Sequence, residues 1–372
     1  MRRLLVLPLF LLISLAAGCG TGFKLPTEQH VAVVPGNGTY GLIDRWSGLS
    51  NIRDLVLTKA DVTSNEQLFV LFSTAGNDTG KVRAYATHSN TQFSYQYNGM
   101  INPWALCATA TRLFVLDQGD TCLARAVRPS SGRCDSNVVN FQYYWHVREY
   151  FPDGGDTIST FTDTTMAWVQ GIAVDNLQRI YVSGLYILVT INPDNPFLYY
   201  RRLVWQVNRY LRGAGDPNMP GSNWHRDPTY VLAEGSGLGT VMNPQGLDWS
   251  PNGSGALYLS DTANNRAQRL GDPRSGDDYL MLDTDNGPLT SPVDVCADLA
   301  GFAYVVNGGP NFGVFRYQGI GQGLSEMVQR VDVYTDVTTP RLLQPVAVTA
   351  DSDRVYVADA GRGEVSIFQR RR

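Results

Sequence analysis

The hydrophobic positions of this chain fall into short runs that come in pairs. The first run of a pair begins at a proline or another apolar residue and alternates along its length. A turn follows, and the second run carries an aromatic residue near its start. The clearest pair is Pro244-Gln-Gly-Leu-Asp-Trp-Ser250 with Leu257-Tyr-Leu-Ser-Asp-Thr-Ala-Asn-Asn-Arg266. Pro345-Val-Ala-Val-Thr349 with Val355-Tyr-Val-Ala-Asp359, Val169-Gln-Gly-Ile-Ala-Val-Asp175 with Ile180-Tyr-Val-Ser183, and Pro292-Val-Asp-Val-Cys296 with Ala303-Tyr-Val-Val-Asn307 follow the same plan. Pro103-Trp-Ala-Leu-Cys107 with Leu113-Phe-Val-Leu-Asp117, and Ile52-Arg-Asp-Leu-Val-Leu57 with Leu68-Phe-Val-Leu-Phe72, are weaker copies. Runs of this length with period two, bounded by turn residues, predict β-strands. The copies start at residues 52, 103, 169, 244, 292 and 345, spaced by 51, 66, 75, 48 and 53 residues. Recurrence at such a period is the mark of a repeat architecture.

These copies resemble NHL repeats, whose pattern runs P-x-G-I-A-V-D and then I-Y-V-A-D-x-x-N-N-R-I. The copy at Pro244 to Arg266 matches closely, those at Val169 and Pro345 match well, and the other three are degenerate. The resemblance spans about residues 50–370. It implies an all-β chain folded as a six-bladed β-propeller with four-stranded antiparallel blades. The last copy has room for only about three strands, and strand-like sequence lies at Val31–Val34 and Tyr40–Asp44. The N-terminal segment is therefore expected to supply the missing outer strand and close the ring, which removes open sheet edges. The propeller is expected to occupy residues 31–372. Phe69, Phe114, Tyr181, Tyr258, Tyr304 and Tyr356 form one aromatic position per blade, expected to pack between blades.

Asp117, Asp261, Asn307 and Asp359 end the second run of their copies. Such side chains accept backbone N–H bonds in turns, and they are also the candidates for one mouth of the central channel. Two spacings exceed a normal blade, placing insertions within 127–165 and 185–242. The insertions carry Tyr144, Trp145, Trp205, Trp224 and Arg226. Long loops on a rigid scaffold tend to carry function, and Trp, Tyr and Arg are frequent interface anchors. These five are therefore the candidate interface.

The N-terminus changes the picture most. Arg2 and Arg3 precede an apolar run, Leu4–Leu15, too short for a comfortable membrane span. Leu15-Ala-Ala-Gly-Cys19 resembles a bacterial lipobox. Residues 1–18 then read as a lipoprotein signal peptide, Cys19 as the lipidated residue, and 19–30 as a tether. Gly20 after the cysteine resembles lipoproteins sent to the outer membrane if the host is Gram-negative. Membrane attachment would come from the acyl chains. Four cysteines remain. Cys122 and Cys134 bracket a polar segment and read as a loop disulfide of an exported protein, while Cys107 and Cys296 lie in apolar runs and read as buried thiols.

Composition adds mainly exclusions. A net charge of −4 offers no footprint for nucleic acid. No P-loop, GxSxG or HExxH occurs among the 372 residues, and no Cys/His spacing suits zinc. The catalytic assignment is none, and no cofactor is assigned. The preferred function is a lipid-anchored cell-envelope binding module for a protein or glycan. The alternative is a metal-dependent propeller enzyme, a lyase or lactonase, with calcium or zinc at the channel mouth. Peptidyl-amidating lyases resemble NHL proteins and use His on zinc; gluconolactonase-like and paraoxonase-like propellers hold calcium with Glu, Asn and Asp.

Overall fold

A computed structural model describes residues 40–58, 66–73, 80–87, 91–121, 142–192, 195–213, 223–250, 255–271, 279–282, 288–319, 323–325, 327–332 and 342–370. All belong to one unit, Tyr40–Arg370. The signal segment, Cys19, the tether, Cys122 and Cys134 lie outside the described residues, as does the side chain of Tyr144.

Each sequence copy supplies the two innermost strands of one antiparallel sheet. Ile52–Leu57 and Gln67–Phe72 open the first blade, which Gly80–Ala86 and Gln92–Met100 complete. Pro103–Ala108, Leu113–Thr121, Gln142–Tyr150 and Ser159–Thr162 make the second. Met166–Val174, Ile180–Asn192, Asn195–Arg212 and Trp224–Leu232 make the third. The fourth runs through Pro244–Ser250, Ala256–Asp261, Arg266–Gly271 and Tyr279–Leu282, with Gly323–Ser325 added in parallel at its edge. Pro292–Ala297, Phe302–Asn307, Gly313–Gln318 and Met327–Arg330 form the fifth. The sixth joins Pro345–Ala350, Arg354–Asp359 and Glu364–Arg370 to Tyr40–Trp46. Each inner strand touches the inner strands on both sides, so six blades close a ring as the sequence predicts. The N-terminal strand seals it, pairing antiparallel from Tyr40↔Arg370 to Trp46↔Val365.

Side chains between the blades form the core. The aromatic column is buried in every blade. Where it is tyrosine, its hydroxyl finds a partner, as a buried phenol requires. Tyr258 donates to Gly319 O of the next blade at 2.6 Å, and Tyr356 to Thr87 O at 2.8 Å. Tyr304 shares a hydrogen bond with the Tyr40 hydroxyl at 2.9 Å, locking the sealing strand to the fifth blade.

Asp117, Asp261, Asn307 and Asp359 are fully buried and do not line the channel, which corrects their assignment to its mouth. They clamp the stretch of chain that enters the inner strand of their own blade. Asp359 accepts Leu343 N–H at 2.8 Å and Gln344 N–H at 2.9 Å. Asp117 accepts Ile101 and Asn102 N–H, both at 2.9 Å, and Asn307 accepts Thr290 and Ser291 N–H at 3.0 Å. Asp261 accepts Met242 N–H at 2.7 Å and pairs with Arg266 at 2.9 Å. Replacing Asp359 by alanine strands two amide donors, each worth about 1–3 kcal/mol. We expect Asp359→Ala to lose about 2–4 kcal/mol in urea unfolding and Asp359→Asn, which keeps one acceptor, to lose less. A loss within about 0.5 kcal/mol, the range of a neutral surface change, would remove the clamp from the fold's supports.

Candidate functional site

The inner strands surround a cavity of about 410 Å³ on the ring axis, and all six contribute to its wall. The strands aim their side chains there through a shared irregularity. In every inner strand the pairing with its neighbour slips just after the first residue of the sequence copy: Ile52/Asp54, Pro103/Ala105, Val169/Gly171, Pro244/Leu247, Pro292/Asp294 and Pro345/Ala347. Such a bulge frees one residue from the ladder and re-aims it. The second residues of the six copies, Arg53, Trp104, Gln170, Gln245, Val293 and Val346, all line the cavity. Gly308, Phe312, Leu343 and Gln344 complete the wall. They come from loops at the end of the ring where the inner strands begin, which marks the cavity's mouth.

One side of the mouth is aromatic and cationic. The Arg53 guanidinium lies 4.5 Å over the Trp104 ring. Trp168, 39% exposed, meets Trp104 edge-on with centroids 5.4 Å apart, and Trp145 stands behind both. Phe312 is exposed as well. Burial lowers the Arg53 pKa, but a guanidinium stays charged in proteins. Gln170 donates through Nε2 to Asn243 Oδ1 at 2.8 Å, while its Oε1 is buried with no hydrogen-bond partner.

The channel is also acidic. Asp54, Asp248 and Asp294 line it, and each accepts an N–H from the inner strand of the next blade. Asp54 Oδ2 takes Leu106 N–H, Asp248 Oδ2 takes Ala297 N–H and Asp294 Oδ2 takes Val348 N–H, all at 2.8 Å. Thr349 Oγ1 takes Leu57 N–H at 3.3 Å and closes the ring on the first blade. Gly246 makes room for Asp294, because a Cβ there would fall 2.1 Å from its Oδ1. A Cβ on Gly171 would fall 2.0 Å from Gln245 O, so the Gln-Gly pairs of the third and fourth blades are set by strand approach. Cys107 and Cys296 line the channel too, as buried thiols outside any disulfide, in agreement with the sequence reading. Among the described residues no group of three or more His, Cys, Asp or Glu is placed to hold a metal ion.

Both insertions extend the hairpin that joins the second and third strands of a blade, at the mouth end. In the third blade the hairpin continues past Tyr186 and Val204 as a two-stranded ribbon, with Leu188, Val189 and Leu203 exposed. In the second blade the pairing runs on to Thr121↔Gln142. Of the interface candidates, Trp145 and Trp224 are fully buried and belong to the core between the second and third blades. This corrects their placement on the surface: they are the apolar filling that the longer hairpins bring with them. Trp205 and Arg226 are half-buried, and Arg226 reaches Thr165 Oγ1 at 3.5 Å. The sequence reading passed over Arg53, Trp104, Trp168, Gln170, Gln245 and Gln344. The signal for most of them was the second residue of each copy, the position that varies most in chemistry from copy to copy.

The buried acids make stability depend on pH. Burial is the largest influence on Asp54 and pushes it up to about 7 against its two N–H bonds, with Asp248 adding to the rise. Asp294 is raised well above the carboxylate range, by burial first and then by Asp54. Arg53 and the Cys107 thiol share this cavity wall. An unfolded aspartate releases its proton near pH 4. Between about pH 4 and 7 the folded chain then holds more protons than the unfolded chain, so stability falls as pH rises through that window. The thermal midpoint should be several degrees lower at pH 8 than at pH 5.5, and Asp294→Asn should flatten the slope. A flat wild-type profile would contradict the assignment.

No family model matches the chain, and no curated protein matches it. Solved structures do. A luciferin-regenerating enzyme superposes with a TM-score of 0.51 at 10% identity, covering 90% of this chain and 95% of its own. A putative gluconolactonase gives 0.47 at 12% identity, covering 90% and 93%. A virginiamycin B lyase from Staphylococcus aureus gives 0.46 at 9% identity, covering 89% and 99%. At these identities the likeness to the first shows the fold alone, and the neighbours of this β-propeller include both enzymes and binding proteins.

Proposed function

We propose that this chain is a binding module of the cell envelope: an NHL-like propeller, anchored through a lipid on Cys19, that holds a protein or glycan partner at the end of the ring where the channel opens. The observation that carries this reading is the mouth itself. Bulged residues from all six blades meet there around a cavity of about 410 Å³, a size suited to a small group or the tip of a larger partner. Trp168 and Phe312 keep large aromatic faces in solvent beside it, and exposed aromatics next to a concave polar site mark recognition surfaces. The ribbon of the third blade stands at the same end and adds exposed apolar area.

The enzymatic reading has less to build on, because the channel carboxylates already spend an oxygen each on backbone N–H donors. The lipid is testable by itself. Labelled fatty acid should enter the wild-type protein and be lost in Cys19→Ser, and incorporation that persists would end that part of the reading. For the binding site, the lipidated protein should capture a stoichiometric partner by crosslinking in its native membrane. Trp168→Ala with Phe312→Ala should reduce capture about tenfold, the effect of roughly 1.4 kcal/mol, with the thermal midpoint little changed. Undiminished capture would move the binding surface away from this end.

A further inference from the structure

Among the described residues, Arg53 is the one guanidinium on the channel wall. Its neighbours explain why it is held there and do not explain what it is for. It makes no hydrogen bond and no ion pair among the described residues; its guanidinium lies over the face of Trp104. A guanidinium half removed from water with no acceptor is a cost to the fold. Contact with an indole face uses none of its five N–H donors. That is the geometry that receives a planar oxyanion through two parallel hydrogen bonds. Gln170, at the equivalent bulge two blades along, presents the complementary deficit. Its Nε2 is committed to Asn243, which fixes the amide, and its buried Oε1 accepts nothing. One wall of the cavity thus holds unused donors on a cation, and another holds an unused acceptor.

We infer that the channel binds the carboxylate of a small monoanionic ligand on Arg53, with a hydroxyl or amide N–H of the same ligand donated to Gln170 Oε1. This rests on reading the channel mouth as a binding site and names the ligand class it takes. The charge of the ligand follows from the rest of the wall. Asp54, Asp248 and Asp294 line the same cavity, so a dianion such as phosphate meets like charges. A monoanion matched to a single guanidinium does not carry that excess, and the protonation that burial imposes on Asp54 near neutral pH reduces the repulsion further. The volume suits one sugar-sized or amino-acid-sized group. A uronic acid unit of a glycan and the carboxyl terminus of a peptide both present a carboxylate beside such a donor.

Calorimetric titration of the whole protein tests this with glucuronate and N-acetylalanine. Each is compared with its uncharged counterpart, methyl glucoside and N-acetylalanine amide, and with inorganic phosphate. The acid should bind at least tenfold more tightly than its neutral counterpart, and it should raise the thermal midpoint. Arg53→Gln should abolish that preference, with a loss of about tenfold to a hundredfold, and Arg53→Lys should recover only part of it. Gln170→Glu should weaken the acid further. Response to glucuronate alone assigns a glycan source, and response to N-acetylalanine alone assigns a peptide terminus. Arg53→Gln should leave the thermal midpoint of the free protein unchanged or raised; a clear drop would make Arg53 a packing residue and overturn the inference. Binding that survives Arg53→Gln, phosphate binding as tight as the acids, or no response to either acid would also overturn it. Partner capture that depends on Trp168 while neither acid binds would leave the binding-module reading standing and this inference alone refuted.

Discussion

Six strands converge on the axis of this molecule, and each has one edge with no strand to pair with. An inner strand uses one row of its backbone groups on its own sheet and turns the other row toward the ring's centre. Those amides are shut away from bulk water, so they must find acceptors elsewhere. The chain solves this with side chains: Asp54, Asp248, Asp294 and Thr349 each reach across a blade boundary to an N–H of the next inner strand. Much of the channel's character follows from that belt. It draws carboxylates into the channel wall, raises the pKa of Asp54 and Asp294, and requires glycine at 246 so that Asp294 can approach. At the boundary between the second and third blades the belt has no acid. The tryptophans Trp104, Trp145 and Trp168 pack there instead, and the cavity's mouth is aromatic on that side.

The same boundary shows how a repeat makes room for a site. In the second, fourth, fifth and sixth blades an acid or amide at the end of the second strand clamps the entering chain. The third blade has Gly184 at that position, and a Cβ there would fall 2.2 Å from Trp168 O. Without a clamp, the entering chain stays in the sheet: Trp168 pairs with Leu185 and Met166 with Tyr186. That keeps Trp168 at the rim, on the blade whose hairpin runs on as a ribbon.

The blade count, the two inner strands of each blade and the sealing strand were legible in the sequence, because buried strands must alternate or run apolar. The outer strands were not. Gln92–Met100 and Met327–Arg330 are largely exposed, so packing imposes little pattern on them and nothing regular remains to read. The site was hidden for the opposite reason. Asp117, Asp261, Asn307 and Asp359 stood out because they recur, and they recur because each blade needs the same clamp. Recurrence in a propeller is the signature of folding. The chemistry proposed for binding falls where the copies disagree, at the bulged second position that holds arginine, tryptophan, two glutamines and two valines in turn. Trp145 and Trp224 misled for a related reason: a longer hairpin must bring its own core, and its largest aromatics go there.

The bulge supplies the link between scaffold and chemistry. A residue in register has its side chain committed either to the neighbouring blade or to the channel by the pleat, and its backbone is committed to the ladder. A bulged residue is released from the ladder, so its side chain can change without altering the pairing around it. Six such residues in a ring give a wall whose composition can vary without altering the pairing that holds the ring. Arginine at one of these places costs the fold little in pairing, but it brings a charge that forms no ion pair among the described residues. Stacking on Trp104 holds the guanidinium in place without consuming its donors. A cation kept rigid, half-dry and unpaired at the rim of an acidic channel is poorly suited to stabilising the ring and well suited to receiving an acid from solution.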